Sequence, residues 1–290
     1  MKILLGILEQ GLIYAPLVIG VYITYKILDF PDLSVDGTFP LGAAVAAVLI
    51  VGGMNPVLAC IIATLCGAVA GMITGILHVY LKITNLLSGI LMMTALYSVN
   101  LRIMGKANVP LLSVETMFSG AIPTFVVLLI VVVVIKVILD LYMKTYAGLS
   151  LRAVGANRQL VSSLGQNTGI ITIRGLVIAN ALAALSGALM CQYQRFADIG
   201  MGAGTVVIGI ASVILGITLF TKLKIEGSTA VILGAIVYKA CIALALRLGL
   251  PANDMKLVSA VLFVVIIVLR NPKWRDKLTS LFKGKGEEHA

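Results

Sequence analysis

The apolar stretches of this chain are continuous rather than alternating, and that constrains its fold more than any other feature. The window at 121 to 142 carries VVVVIKVILDL, and others are nearly as apolar. A hydrocarbon layer about 30 Å thick takes roughly 20 apolar residues per helix, a length that several windows meet or approach with little charge. Strands of a membrane β-barrel would alternate in segments of about ten residues, so a barrel is excluded. Hydrophobic residues are 60% of the 290 and charged residues 12%, with mean hydropathy +1.09, which excludes a soluble domain. The fold class is all-α, a polytopic transmembrane helical bundle.

The windows fall near 3–28, 40–52, 57–81, 85–103, 121–142, 171–192, 204–221, 228–246 and 254–269. They predict eight or nine membrane segments: the second is short, and GAGTVVIGIASVILGITLF is laced with glycine as broken or re-entrant helices are. The first window holds an acid and a proline and lacks a small-residue cleavage site after it, so it reads as a retained helix. Residues 1–270 are expected to form one membrane domain and 271–290 a basic cytoplasmic tail. Cys60, Cys66, Cys191 and Cys241 all sit in apolar windows and read as small buried hydrophobes rather than disulfides or metal ligands.

Lysine and arginine orient the windows. If every window crosses and 143–174 is cytoplasmic, that side holds Lys26, Lys82, Lys144, Arg152, Arg158, Arg174, Lys222, Lys224 and six tail bases, fourteen in all. The other side holds five: Lys2, Arg102, Lys106, Arg195 and Arg247. The expected N-terminus is outside and the C-terminus inside. A basic inner face also explains the net charge of +10 without a nucleic-acid partner.

Two stretches resemble each other. FPDLSVDGTFPLGAAVAAVLI from Phe30 and FADIGMGAGTVVIGIASVILG from Phe196 both open Phe-x-Asp, pass through small residues and enter an apolar helix. With these openings on opposite faces, either the chain contains an inverted repeat of the kind transporters build around a midplane pathway, or small-residue composition coincides.

The segment LRAVGANRQLVSSLGQNTG, 151–169, interrupts this apolar pattern. Arg152, Arg158 and Arg174 make it basic, Gly148, Gly155, Gly165 and Gly169 break or cap helices, and Asn157 suits the N-cap of a helix through RQLVSSLG. It predicts one short amphipathic helix at the inner surface, either lying in the headgroups or docking a cytoplasmic protein.

RAVGANRQLVSSLGQNTG, then IANALAALSGALM, then GAGTVVIGIASVILGIT resembles the cytoplasmic loop and following helices of permease subunits of bacterial ABC importers. The subgroup is that of the branched-chain amino-acid and ribose permeases. Arg152, Gly155, Asn157, Gly165 and Asn167 fall on its loop pattern, with Val161 where alanine is common and Gln166 where isoleucine is common. DFPDLSVDGTFPLGAAVAAVL is similar to the first polar break of these permeases, in particular of a branch paired with a lipoprotein-type binding protein and tryptophan-type substrates. The resemblance implies a coupling loop at 144–170, two cytoplasmic ABC ATPase subunits carrying ATP and magnesium, an extracytoplasmic substrate-binding protein, a second permease copy in a homodimer, and the bacterial inner membrane. It assigns Gly155 and Gly165 to the turns of the loop, Asn157 to a cap and Arg152 to a pairing with the ATPase or with lipid. The chain has no phosphate-binding loop of its own, since Gly105-Lys106 and Gly284-Lys285 lack both the upstream glycine and a following hydroxyl residue.

Around the first break, Asp29, Asp32, Ser34, Asp36 and Thr38 either lie at the interface, with Asp36 or Thr38 capping a helix, or line the substrate path partway into the bilayer. Lys239 sits centrally in its window and is expected to face a cavity or a partner. Lys136 is expected to snorkel with Asp140 one turn on. His78 reads as interfacial, and Tyr97, Asn100, Gln192 and Gln194 as either outer-vestibule or packing residues. GAVAGMITG reads as close helix packing. The expected function is passage of a small solute, an amino acid or related compound, without covalent chemistry. The alternative is an ion-coupled secondary transporter with an ion site at the first break.

Overall fold

A computed structural model describes residues 2–120, 122–220, 225–247, 257–261 and 263–264. The chain begins with α1 (Lys2–Val21), which continues as a π-helical turn over Tyr22–Ile27. After a break come α2 (Val35–Val51), α3 (Pro56–Val79), α4 (Asn85–Met104) and the short strand β1 (Asn108–Pro110). Helix α5 (Thr124–Lys144) leads into two short helices, α6 (Tyr146–Ala156) and α7 (Arg158–Ser163), and then into α8 (Thr168–Gln194). Strand β2 (Phe196–Asp198) pairs antiparallel with β1, a 3-10 turn spans Ile199–Gly202, and α9 (Thr205–Phe220) and α10 (Gly227–Arg247) follow.

Among the described residues seven helical segments are long and apolar enough to cross a membrane, with Val35–Val51 a shorter apolar helix beside them. That matches the expected all-α polytopic bundle. Of the window at 254–269 only 257–261 and 263–264 are described, and the tail at 271–290 lies outside the described residues. Helix α5 buries only the stripe Leu128, Val132, Leu139 and Met143, and turns Ile130, Val134, Ile138 and Leu141 outward. An apolar face of that extent needs lipid against it.

Helix α8 is the axis, packed by α1, α2 and α3. Gly67, Gly71 and Gly75, the small residues of GAVAGMITG, lie one turn apart and meet Asn180 O, Leu176 O and Ile173 along it, so α3 runs antiparallel to α8. A Cβ at Gly42 would overlap Ala184 O, and one at Gly187 would overlap Phe39 O. Small residues let helix backbones touch where lipid supplies no hydrophobic drive to associate.

Succession of the helices puts Ile27, 80–84, 145–167 and Glu226 on one face, called here the loop face. Residues 52–55, 105–120 and 195–204 lie on the opposite one. The packing also exchanges between halves. Helix α3 lies on α8 as α10 lies on α1, α2 on α8 as α9 on α1, and α2 on α3 as α9 on α10. The two Phe-x-Asp openings form the same turn from opposite faces: Asp32 Oδ1 accepts from Ser34 N and Asp198 Oδ1 from Gly200 N, each at 2.8 Å. Both observations fit an inverted repeat rather than a coincidence of composition.

By position, the bases within the described residues number six on the loop face and five on the other. The charge asymmetry that orients the chain therefore rests on Lys222, Lys224, Arg270, Lys273, Arg275, Lys277, Lys283 and Lys285, all outside the described residues.

Gly42→Val drives a side chain into Ala184 O and is expected to destabilise the detergent-solubilised protein by about 2 kcal/mol or more. Gly6→Val, with open space around it, is the control. Thermal unfolding of the two variants checks the difference.

Candidate functional site

Three side chains cap the helices of the loop, and a fourth ties its ends together. Thr145 Oγ1 accepts from Gly148 N at 3.4 Å to start α6. Asn157 ends α6 and starts α7, its Oδ1 accepting from Leu160 N at 3.0 Å, as the sequence suggested. Asn167 Oδ1 accepts from Gly169 N and Ile170 N at 3.0 and 3.2 Å to start α8. Gln166 Nε2 donates to the Tyr146 hydroxyl, tying the two ends of the loop. Each cap satisfies backbone donors that a helix start leaves free.

Two expectations change here. The single amphipathic helix is a pair, because Asn157 takes an extended conformation (φ −156°) and turns the chain between α6 and α7. Gly155, expected at a turn, lies inside α6, where a Cβ would overlap Ile27 O. Its smallness lets α6 rest on the backbone at the end of the π-turn. Gly165 does make a turn, at φ +76°. The inner face of α6 buries Leu151 and Val154, while Tyr146, Leu149, Leu160 and Leu164 point outward at 72%, 55%, 56% and 71% exposure. Arg152 is exposed beside a cavity of about 610 Å3 that Tyr22, Lys26, Lys144 and Glu226 also line.

The first break is packed inside the protein. Asp32, Ser34 and Thr38 are buried, and all three bond one residue of α8 that the sequence reading passed over, Asn180. Its Oδ1 accepts from Ser34 Oγ at 3.0 Å and Thr38 Oγ1 at 2.7 Å, and its Nδ2 donates to Asp32 Oδ2 at 2.8 Å and Leu176 O at 3.1 Å. A lone amide midway along a membrane helix was the available signal. Asp29 stays exposed, in a left-handed conformation (φ +53°).

Asp36 is separate from this knot. Its Oδ1 accepts from Val206 N at 2.8 Å and Thr205 Oγ1 at 2.9 Å, and its Oδ2 from Gly204 N at 3.0 Å. A carboxylate from α2 thus caps the N-terminus of α9, where backbone donors and helix dipole both favour negative charge. Asp36 also lines a cavity between the two breaks, together with Tyr97 and Asn100.

Lys239 is 9% exposed and holds its Nζ 3.6 Å from the centroid of the Tyr14 ring, which stacks on Phe39. Its partner is an aromatic face rather than an acid. Lys136 pairs with Asp140 as expected, and also with Glu226 at 3.4 Å, while Ser228 Oγ donates to Asp140, so the pair joins α5 to the start of α10. His78 Nδ1 lies 2.8 Å from Ile83 O at the loop-face end of α3. Gln192 Oε1 accepts from Met117 N, fastening the 111–120 segment to α8. All four cysteines are free.

Residues 3–269 match the family described as branched-chain amino acid transport system, permease component. The chain is 49% identical over 269 residues to the tyrosine transport system permease protein of Clostridioides difficile (strain R20291), covering 92% of this chain and 91% of that one. It is 36% identical to the uncharacterised protein RP368 of Rickettsia prowazekii (strain Madrid E), over 95% of this chain and all of the other. It is 25% identical to the galactofuranose transporter permease protein YtfT of Escherichia coli (strain K12), over 87% and 74%. No solved structure matches.

Asn180→Leu removes the partner of a buried carboxylate and two buried hydroxyls. A loss of about 3 kcal/mol is expected, read as a lower unfolding temperature in detergent and poorer membrane yield. A change within 0.5 kcal/mol of wild type on the order of surface substitutions would refute the knot.

Proposed function

We propose a mechanism from the premise that this chain belongs to the branched-chain amino acid transport system permease family. It is the permease component of an ABC importer, a multi-pass membrane subunit that transports rather than catalyses and that works with an ATPase and a binding protein.

The loop 144–170 receives the ATPase. The observation that carries this is the two-sided character of α6 and α7: one face is packed on Ile27 through Gly155, and the other presents Tyr146, Leu149, Leu160 and Leu164, each more than half exposed. Aromatic and aliphatic side chains exposed on a capped, rigid helix pair suit a protein partner. Arg152 would add a charged contact at its edge, and Asn157, Gly165 and Asn167 would hold the pair in shape. ATP and magnesium belong on the ATPase chains, two of which would face two copies of this permease as a homodimer.

This assignment makes the loop face cytoplasmic, the N-terminus external and the C-terminus internal, in a bacterial inner membrane. The binding protein would then meet the opposite face, where β1 and β2 lie. Closure of the ATPases shifts the permease between arrangements only as far as the two states bind the loop differently. The proposed cargo is an amino acid or related compound, an aromatic one first because of the Clostridioides difficile relative named for tyrosine. Asp36 would stand on the path, and Asp32, Ser34, Thr38 and Lys239 would hold the helices that line it.

In proteoliposomes with the partner ATPase and binding protein, ATP-dependent uptake of L-tyrosine is expected to require all three proteins. Gly155→Val, which thrusts a side chain at Ile27 O, should cut uptake by about tenfold or more while the complex still assembles. Uptake by this chain alone under a sodium or proton gradient, indifferent to Gly155→Val, would overturn the reading.

A further inference from the structure

The cavity between the two breaks is about 360 Å3, large enough for a small solute, with Asp36, Met93, Thr94, Tyr97, Asn100 and Gly204 among its walls. Asn100 is fully buried. Its Nδ2 donates to Gly37 O at 3.1 Å, which fixes the direction of the amide and leaves Oδ1 without a partner. Buried acceptors are seldom left so.

Gly37 follows Asp36 in the chain, so the orphan acceptor and the carboxylate belong to one wall. Asp36 Oδ1 already takes two donors, but Oδ2 takes only Gly204 N and keeps acceptor capacity. Among the described residues no lysine, arginine or histidine lines the cavity, and none pairs with Asp36. The Thr94 hydroxyl is already donating to Ile90 O and Leu91 O. The wall therefore presents negative charge, a free amide oxygen, apolar surface and the ring of Tyr97, with no cation.

We infer that this cavity binds the ammonium group of an amine-bearing solute, with Asp36 Oδ2 and Asn100 Oδ1 as its acceptors and the Tyr97 ring against the rest of the molecule. Asn100 and Tyr97 both line the cavity, and Asn100 Oδ1 is buried with no partner of its own. A charged donor suits these groups better than a neutral one, since hydrogen bonds between ionised partners are the stronger ones. An anion would meet Asp36 unshielded. This deepens the transport reading and rests on it for the passage of the solute, but the binding chemistry can be measured apart from transport.

The assembled complex carrying Thr94→Cys would be modified with N-ethylmaleimide and the site read by mass spectrometry. Phenethylamine and 3-phenylpropionate, matched in body and opposite in charge, serve as probes. Phenethylamine is expected to slow the modification in a concentration-dependent manner and 3-phenylpropionate to leave it unchanged. Asn100→Leu should weaken the effect of the amine about tenfold, and Asn100→Asp, which keeps an acceptor, should preserve or strengthen it. Equal protection by both probes, no protection by either, or protection by sodium chloride alone overturns the assignment. Should the leucine variant fail to assemble, loss of amine protection in the aspartate variant overturns the role of Asn100. Wild-type uptake run alongside separates the two readings. Uptake without amine protection refutes the cavity and leaves transport standing, whereas protection without uptake supports the cavity and counts against the transport reading.

Discussion

Inside a hydrocarbon layer no water takes up a backbone group that a broken helix releases, and this chain breaks two helices within its bundle. Each break is sealed by a side chain from elsewhere in the sequence. At the first, Asn180 of α8 gathers Asp32, Ser34 and Thr38 into one polar knot. At the second, Asp36 of α2 closes the start of α9. The second seal stands on the first, because Asp36 holds its place only while the Asn180 knot fixes the start of α2. Together they tie the two halves of the molecule to each other.

These seals need helix backbones to come close, and small residues allow it. Gly67 and Gly71 flank Asn180 on one side, and Gly42 and Gly187 bring α2 onto α8 on the other. Were those positions larger, α8 would stand off from its neighbours and Asn180 would lose its reach to the break. Polar satisfaction and small-residue packing are thus one device in this bundle. That α8 is almost featureless as an amphipathic helix is a consequence, since neighbours cover it on several sides and no lipid-facing stripe is required.

The class of the fold was legible because it depends on local composition: continuous apolar windows cannot be anything but membrane helices. Caps were legible for the same reason, and Asn157 acts where its position between polar turns suggested. The repeat was visible only as two Phe-x-Asp openings, and its meaning lay in pairings between α1, α2, α3 and α8, α9, α10, which no single stretch encodes. Gly155 was misjudged because a glycine that serves a turn and one that admits a neighbour's backbone look alike until the neighbour, Ile27, is known. Asp32 and Asp36 stand four residues apart in similar polar surroundings, yet one is sealed and the other faces a cavity. What divides them is contact with residues about 150 and 170 positions away. The amide of Asn180 was set in IANALAALSGALM, where smallness drew attention away from its one amide.

The route from loop to break is short and mostly backbone. Gly155 meets Ile27 O, a main-chain atom that cannot rotate aside as a side chain would. The next residue, Leu28, packs with Leu151 of the loop over Gly175 of α8, and four residues on is Asp32, held by Asn180. Between α1 and this junction lies the π-turn Tyr22–Ile27, of a kind that recurs at functional sites. In the proposed coupling, a push on α6 would meet the π-turn on one side and, through Leu28, the knot on the other. Because the knot joins α2 to α8, and α2 caps α9 through Asp36, movement passed through the knot would alter the walls of the cavity between the breaks. Packed interiors shift between discrete arrangements rather than yielding gradually, so in the proposed coupling the knot would pass on a push from the loop as a switch between packings rather than as a graded strain.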